Sequence, residues 1–130
     1  MLKLHNITFL PDRATILVEE KRGLSSFERN LLVAKLLEKH QNLSSHDCVN
    51  SHGPKFGDCI RTTSLAHIFE HLIIEAAIEA WPNFKMIGNT KKKTGHFFEI
   101  NVTYKDDIVL LEIINDCVVE LNSQISEVSN

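Results

Sequence analysis

A chain of 130 residues, 43% hydrophobic and 24% charged, supports one compact domain and leaves no room for a second of ordinary size. Seventeen acidic against fourteen basic residues give a formal charge of −3, which argues against a wholesale electrostatic grip on nucleic acid. No apolar run reaches the roughly 20 residues that span a bilayer, no signal-peptide pattern opens the chain, and the three cysteines are odd in number, so a soluble cytoplasmic domain with free or ligating thiols is expected.

Leu2, Leu4, Ile7 and Phe9 alternate roughly and predict a strand; Pro11-Asp12 marks a turn, and residues 15–18 predict the returning strand. From residue 27 to 40, Phe27, Leu31, Ala34 and Leu37 fall on one stripe after a serine cap, the pattern of an amphipathic helix. Residues 41–61 are rich in Ser, Asn, Asp, His and Gly without periodicity and predict a loop, long enough to be functional in a small domain. Thr62-Thr63-Ser64 caps a second helix to about residue 81, ended by Pro82; it is apolar on nearly every side, which places it centrally in the core. Residues 84–87 then predict a short strand, Lys91-Lys92-Lys93 a basic turn, and residues 96–104 a strong strand with Phe98, Ile100, Val102 and Tyr104 on one face. Asp106-Asp107 opens a third helix to about Leu121, in which Cys117 reads as a small core residue, and the polar tail from about Asn122 is expected to fray. The expected fold is α+β: a single domain over residues 1–130, a mainly antiparallel sheet packed by about three helices, with a metal site between the central helix and the Cys/His loop.

The chemistry is concentrated in His67-Ile68-Phe69-Glu70-His71, an H-x-x-E-H motif that reverses the zincin H-E-x-x-H order, the inverzincin pattern. On a helix the two imidazoles stand one turn apart, close enough to share a tetrahedral zinc, and the glutamate between them can act as general base toward a metal-activated water. A third ligand is required. Cys48 and Cys59 in the preceding loop qualify, as do His46 and His52, whereas Glu75, one turn beyond His71, is better suited to support a ligand's ring nitrogen.

The run His46-Asp47-Cys48, Gly53 and Phe56-Gly57, followed by Leu65-Ala66-His67-Ile68-Phe69-Glu70-His71-Leu72-Ile73-Ile74-Glu75, resembles the N-terminal domain of cyanophycin synthetase, and the similarity extends from about Ser44 to Leu121. The resemblance implies a role in holding a polymer of aspartate with arginine branches. In some members it also implies a metal-dependent hydrolytic site that clips the polymer into primers. Carried over, His67 and His71 bind the metal with Cys48 as third ligand, Glu70 is the general base, and Glu75 supports a ligand. The chain departs in having Ala66 where the family has glycine and Gly88-Asn89-Thr90-Lys91-Lys92-Lys93 where it has a glycine–arginine stretch. Without ATP-grasp and Mur-ligase-like domains, polymer synthesis is not expected of it.

The expected function is therefore a metal-dependent hydrolase, using Zn2+ or another divalent metal, of an amide or isopeptide bond in a peptide-like polymer. The alternative is a non-catalytic module that binds a polymer or partner, with a structural metal or none. Expected partners are a peptide-like or polyamide substrate, with no nucleic acid and no membrane; a homodimer is compatible with this reading.

Overall fold

The computed structural model describes residues 1–21 and 23–129. In chain order the elements are β1 (Leu2–Phe9), β2 (Ala14–Glu20), α1 (Ser26–Lys39), β3 (Asp47–Asn50), β4 (Gly53–Lys55), α2 (Leu65–Ala80), β5 (Gly88–Lys92), β6 (Phe97–Val102) and α3 (Asp107–Val128). The main sheet has the order β1-β2-β6-β5 and is antiparallel throughout; β3 and β4 form a separate hairpin. This is the expected α+β domain.

One sheet face is dry. Ala14, Ile16 and Val18 of β2 lie opposite Val102, Ile100 and Phe98 of β6, and α2 covers them along with β5. The opposite face carries a polar ladder in which Thr15 donates to Asn101, and Asn101 to Glu99 and Asn89. The pattern matches an antiparallel sheet with one covered and one solvated side. In β1 the inward residues are Leu2 and Leu4, then Ile7 and Phe9. The register shift between Leu4 and Asn6 reconciles even with odd positions, because one extra residue at His5 turns the later pair back to the core.

Four expectations are corrected. In α1 the buried residues are Leu32, Val33 and Leu36, whereas Phe27 and Leu31 are exposed. The inner stripe is continued by Arg29, which donates to the Thr63 carbonyl, and by His40, 2.6 Å from a Glu120 carboxylate oxygen. Polar side chains satisfied by partners thus disguised the true face. Residues 41–61 are built rather than irregular, with 3-10 turns at Leu43–Ser45 and Phe56–Asp58 flanking the β3–β4 hairpin. Phe56, Leu43 and Ile60 from this segment are fully buried. The strand after α2 is Gly88–Lys92 rather than 84–87, so Lys91 and Lys92 belong to an edge strand and only Lys93 lies in the turn.

The fourth correction concerns the tail. Helix α3 continues to Val128, with Leu121, Ile125 and Val128 buried. Asn122, the supposed start of a frayed tail, accepts from the Leu2 N–H at 2.9 Å and donates to the Leu2 carbonyl at 2.8 Å, clamping β1 to α3. Asn122→Ala leaves both main-chain groups to find other partners and is expected to cost roughly 1–3 kcal/mol of stability, measured by urea denaturation. Among the described residues no helix is long and apolar enough to cross a membrane.

Candidate metal centre

The loop is shaped so that two of its side chains face α2. Phe56 N–H bonds the His46 carbonyl at 2.8 Å, and Asn50 Oδ1 accepts from the backbone of His52 and Gly53 to close the hairpin. Gly53 has φ 155°, and a Cβ there would overlap the Asp58 carboxylate, so only glycine fits this turn. Cys48 on β3 and His46 just before it are thereby held over the helix. Helix α2 is itself fixed at its start: the Ser64 hydroxyl accepts from His67 N–H at 3.1 Å, and Glu20 accepts from Ala66 N–H at 2.7 Å.

Ligand atoms of Cys48, His67 and His71 lie within 4.8 Å of one another and form a group that can hold a metal ion. Cys48 Sγ is 3.5 Å from His67 Nε2. Each ring has a hydrogen-bond partner on its far side that suits the ligating tautomer. His67 Nδ1 is 2.7 Å from the Thr63 hydroxyl, which can accept from Nδ1–H, the arrangement that leaves the Nε2 lone pair for the site. His71 is held by a relay: Glu75 Oε1 is 2.7 Å from His46 Nε2, and His46 Nδ1 is 3.0 Å from His71 Nδ1. Where Glu75 accepts from His46 Nε2–H, His46 Nδ1 can accept from His71 Nδ1–H, the arrangement that leaves the His71 Nε2 lone pair facing inward. Phe56 stacks on the His71 ring at 3.9 Å between centroids and meets the His67 ring edge-on at 5.0 Å, so both imidazoles are sterically locked.

Glu70 is buried beside this group, its carboxylate oxygens 3.9 Å from His67 Nε2 and 3.7 Å from His71 Nε2. Thr90 of β5 donates to Glu70 Oε1 at 2.7 Å. Close approach of β5 depends on Gly88, since a Cβ there would stand 2.8 Å from Glu70 Oε2. Burial pushes the Glu70 carboxyl up to about 7, against the lowering effect of Thr90. Burial first, then the nearby His67 and His46, pushes His71 down to about 3, and burial also lowers His67. Both shifts favour the neutral ring, the form that ligates a metal. The group sits on the floor of a groove of about 730 Å³, walled by β3 on one side and β5 on the other.

The structure brings Cys48, His67 and His71 together, with Glu70 beside the two rings. It places His46 behind His71 instead of among the ligand atoms, with Glu75 one step further back. Cys59 is buried and hydrogen-bonded to Cys48, and burial together with that neighbour raises its thiol to about 11. His52 is exposed on the hairpin, outside the group. Thr63, Phe56, Thr90 and Gly88 were not foreseen. Thr63 had a detectable signal, standing one turn before His67, but nothing local links β5 to α2. Comparison with protein-family models, curated proteins and solved structures returns no match.

In metal-free protein the two buried groups pull in opposite directions with pH. Glu70 prefers to be protonated in the fold, so its contribution is whole below its ordinary 4.5 and is lost as pH rises through about 7. His71 prefers to be neutral, so its contribution is whole above 6.5 and is lost as pH falls toward about 3. Glu70→Gln removes the first effect alone. Relative to wild type, metal-free Glu70→Gln is expected to gain roughly 3 kcal/mol in stability between about pH 4.5 and pH 8, read from urea titrations across that range.

Proposed function

We propose that the protein is a zinc-dependent hydrolase of an amide or isopeptide bond in a peptide-like polymer. The reading is carried by one thiol and two imidazole nitrogens gathered in an open groove, with a buried carboxylate beside the two rings. One thiolate and two imidazoles suit zinc among the divalent metals. Cys48, His67 and His71 would hold such a cation, which would supply Lewis acidity and a more acidic water. Glu70 takes the proton from the attacking water and returns it to the leaving amine, and the Thr90 hydroxyl fixes the carboxylate during both transfers. Thr63, and His46 backed by Glu75, keep each imidazole in the ligating tautomer. A cyanophycin-like substrate is favoured by the sequence resemblance, and a cytoplasmic setting by three free cysteines, one of them needed as a thiolate.

A second reading, a non-catalytic binding module with a closed structural site, draws on Cys59, whose thiol touches Cys48 and can supply a fourth ligand. Metal content of protein purified without added metal, measured for wild type, His67→Ala and Cys59→Ser, tests both. The hydrolase reading expects stoichiometric metal in wild type and Cys59→Ser and none in His67→Ala. Metal lost from Cys59→Ser supports the structural site instead, and a metal-free wild type overturns both metal readings.

A further inference from the structure

Two sulfur atoms meet at the edge of the metal group. Cys48 faces the groove from β3, its Sγ 3.5 Å from His67 Nε2. Cys59 is 5% exposed, and its thiol is hydrogen-bonded to that of Cys48. The backbone builds this contact. Phe56 N–H bonds the His46 carbonyl at 2.8 Å, and Gly57 lies so close to Ser44 that an added Cβ would stand 2.8 Å from the Ser44 carbonyl oxygen. The turn that leads into Cys59 is therefore pressed against the segment that leads into Cys48. Cys59 is also fixed from its own side. Its N–H bonds the Phe56 carbonyl at 3.1 Å, and its carbonyl accepts from Thr62 and Thr63 N–H, both at 2.9 Å. Cys48 is held less tightly, since among the described residues β3 pairs only with the short β4.

The hydrolase reading uses Cys48 and leaves Cys59 without a part. Two thiols in contact, one open to the groove and one buried against it, have the layout of an attacking and a resolving cysteine. Cys117 provides the contrast: it is buried on α3 and lines a different cavity with Leu72 and Ala76.

We infer that Cys48 and Cys59 form a peroxide-sensitive pair, whose oxidation to a disulfide withdraws Cys48 from the metal group. The Cys48 sulfur bonds to one oxygen of hydrogen peroxide, the O–O bond breaks, and hydroxide leaves with the thiol's proton as water. Cys48 is thereby oxidised to a sulfenic acid and the peroxide is reduced. The Cys59 sulfur then bonds to the Cys48 sulfur, the S–O bond breaks, and hydroxide leaves with the Cys59 proton as a second water. An S–S bond of about 2.0 Å is much shorter than a contact between thiols, and Cys59 is the fixed partner, so closure draws Cys48 away from His67. A disulfide sulfur offers no thiolate to a cation, which leaves two imidazoles where three ligands stood. The disulfide itself needs only the sulfur contact; the release of metal rests on the metal reading of the same site. A transient bond of this kind, reversed by thiols, is the form disulfides take in a reducing compartment.

The test treats metal-loaded full chain, and the same chain stripped by a chelator, with hydrogen peroxide, followed by alkylation and peptide mass mapping. Released metal is read with a chromophoric chelator. An intrachain Cys48–Cys59 disulfide is expected in both samples, with Cys117 still alkylated. The loaded chain is expected to lose its stoichiometric metal, and dithiothreitol to restore both thiols and metal binding. Metal-free Cys59→Ser is expected to form no disulfide and to carry Cys48 on to the sulfinic acid, which dithiothreitol does not reverse. If Cys59→Ser does not fold, the mapping of wild type decides. Surviving thiols in the stripped chain, bonds only between chains or to Cys117, or a disulfide absent from the loaded chain would overturn the pair. So would full recovery of Cys59→Ser by dithiothreitol. A disulfide that forms with metal still bound overturns the withdrawal of Cys48. A disulfide in a chain that binds no metal keeps the thiol pair and rejects the metal reading.

Discussion

Glu70→Gln is expected to lower turnover by about 10²–10⁴-fold while leaving metal content unchanged, the usual scale for removing a positioned general base. The amide is nearly isosteric and can still accept from Thr90, so the β5–α2 contact that Gly88 makes possible survives. What disappears is the capacity to receive a proton 3.7–3.9 Å from the two inward-facing imidazole nitrogens. The measurement pairs steady-state hydrolysis with metal analysis of the same preparation. A variant that keeps wild-type turnover shows that the carboxylate is not the base. The variant's gain in metal-free stability above pH 7 belongs to the same group and is read separately, so loss of activity cannot be mistaken for loss of fold.

His71→Ala should have the largest effect on metal binding. It deletes a ligand, strips Phe56 of its stacking partner and leaves His46 Nδ1 facing a void, so the Glu75–His46 pair no longer orients anything. Stoichiometric metal should be lost. With it goes the stabilisation that metal gives wild type, about 4 kcal/mol when free metal is a thousandfold above its dissociation constant. Thermal denaturation with and without metal, run in parallel for wild type and variant, reads this directly: the metal-dependent shift should vanish in the variant. Glu75→Gln is the graded counterpart. Loosening the relay without removing a ligand is expected to weaken metal affinity about 10–100-fold. An unchanged affinity would mean that the relay does not orient His71.

The parts of the site written on one helix were the legible parts. His67, Glu70 and His71 are separated by three and one residues, so helical periodicity alone put them on a common face, and Ser64 marked where that helix begins. The same logic failed on α1 because Arg29 and His40, charged or polar in type, lie along its inner face with partners supplied by Thr63 and Glu120. It failed on α3 because Asn122 and the residues around it look polar while Leu121, Ile125 and Val128 keep the buried spacing. Contacts between distant segments were out of reach in a different way. Thr90 meeting Glu70, and Gly88 making room for it, depend on which strand lands beside α2, a property of sheet order that no local pattern encodes. His46 illustrates the middle case: it was recognised as a ligand type near the site, but its place behind His71 is set by the path of the loop.

The order β1-β2-β6-β5 has a consequence for how the chain is made. β2 emerges from the ribosome paired on one side with β1, and its other neighbour, β6, begins only at Phe97. The Asn122 clamp that seals Leu2 arrives later still. Long-range strand pairing is slow to form, and until it does the nascent chain presents an apolar two-stranded ribbon with a bare side. Translation products halted before residue 97 should therefore be insoluble or chaperone-bound, whereas the completed chain conceals that side within its own sheet.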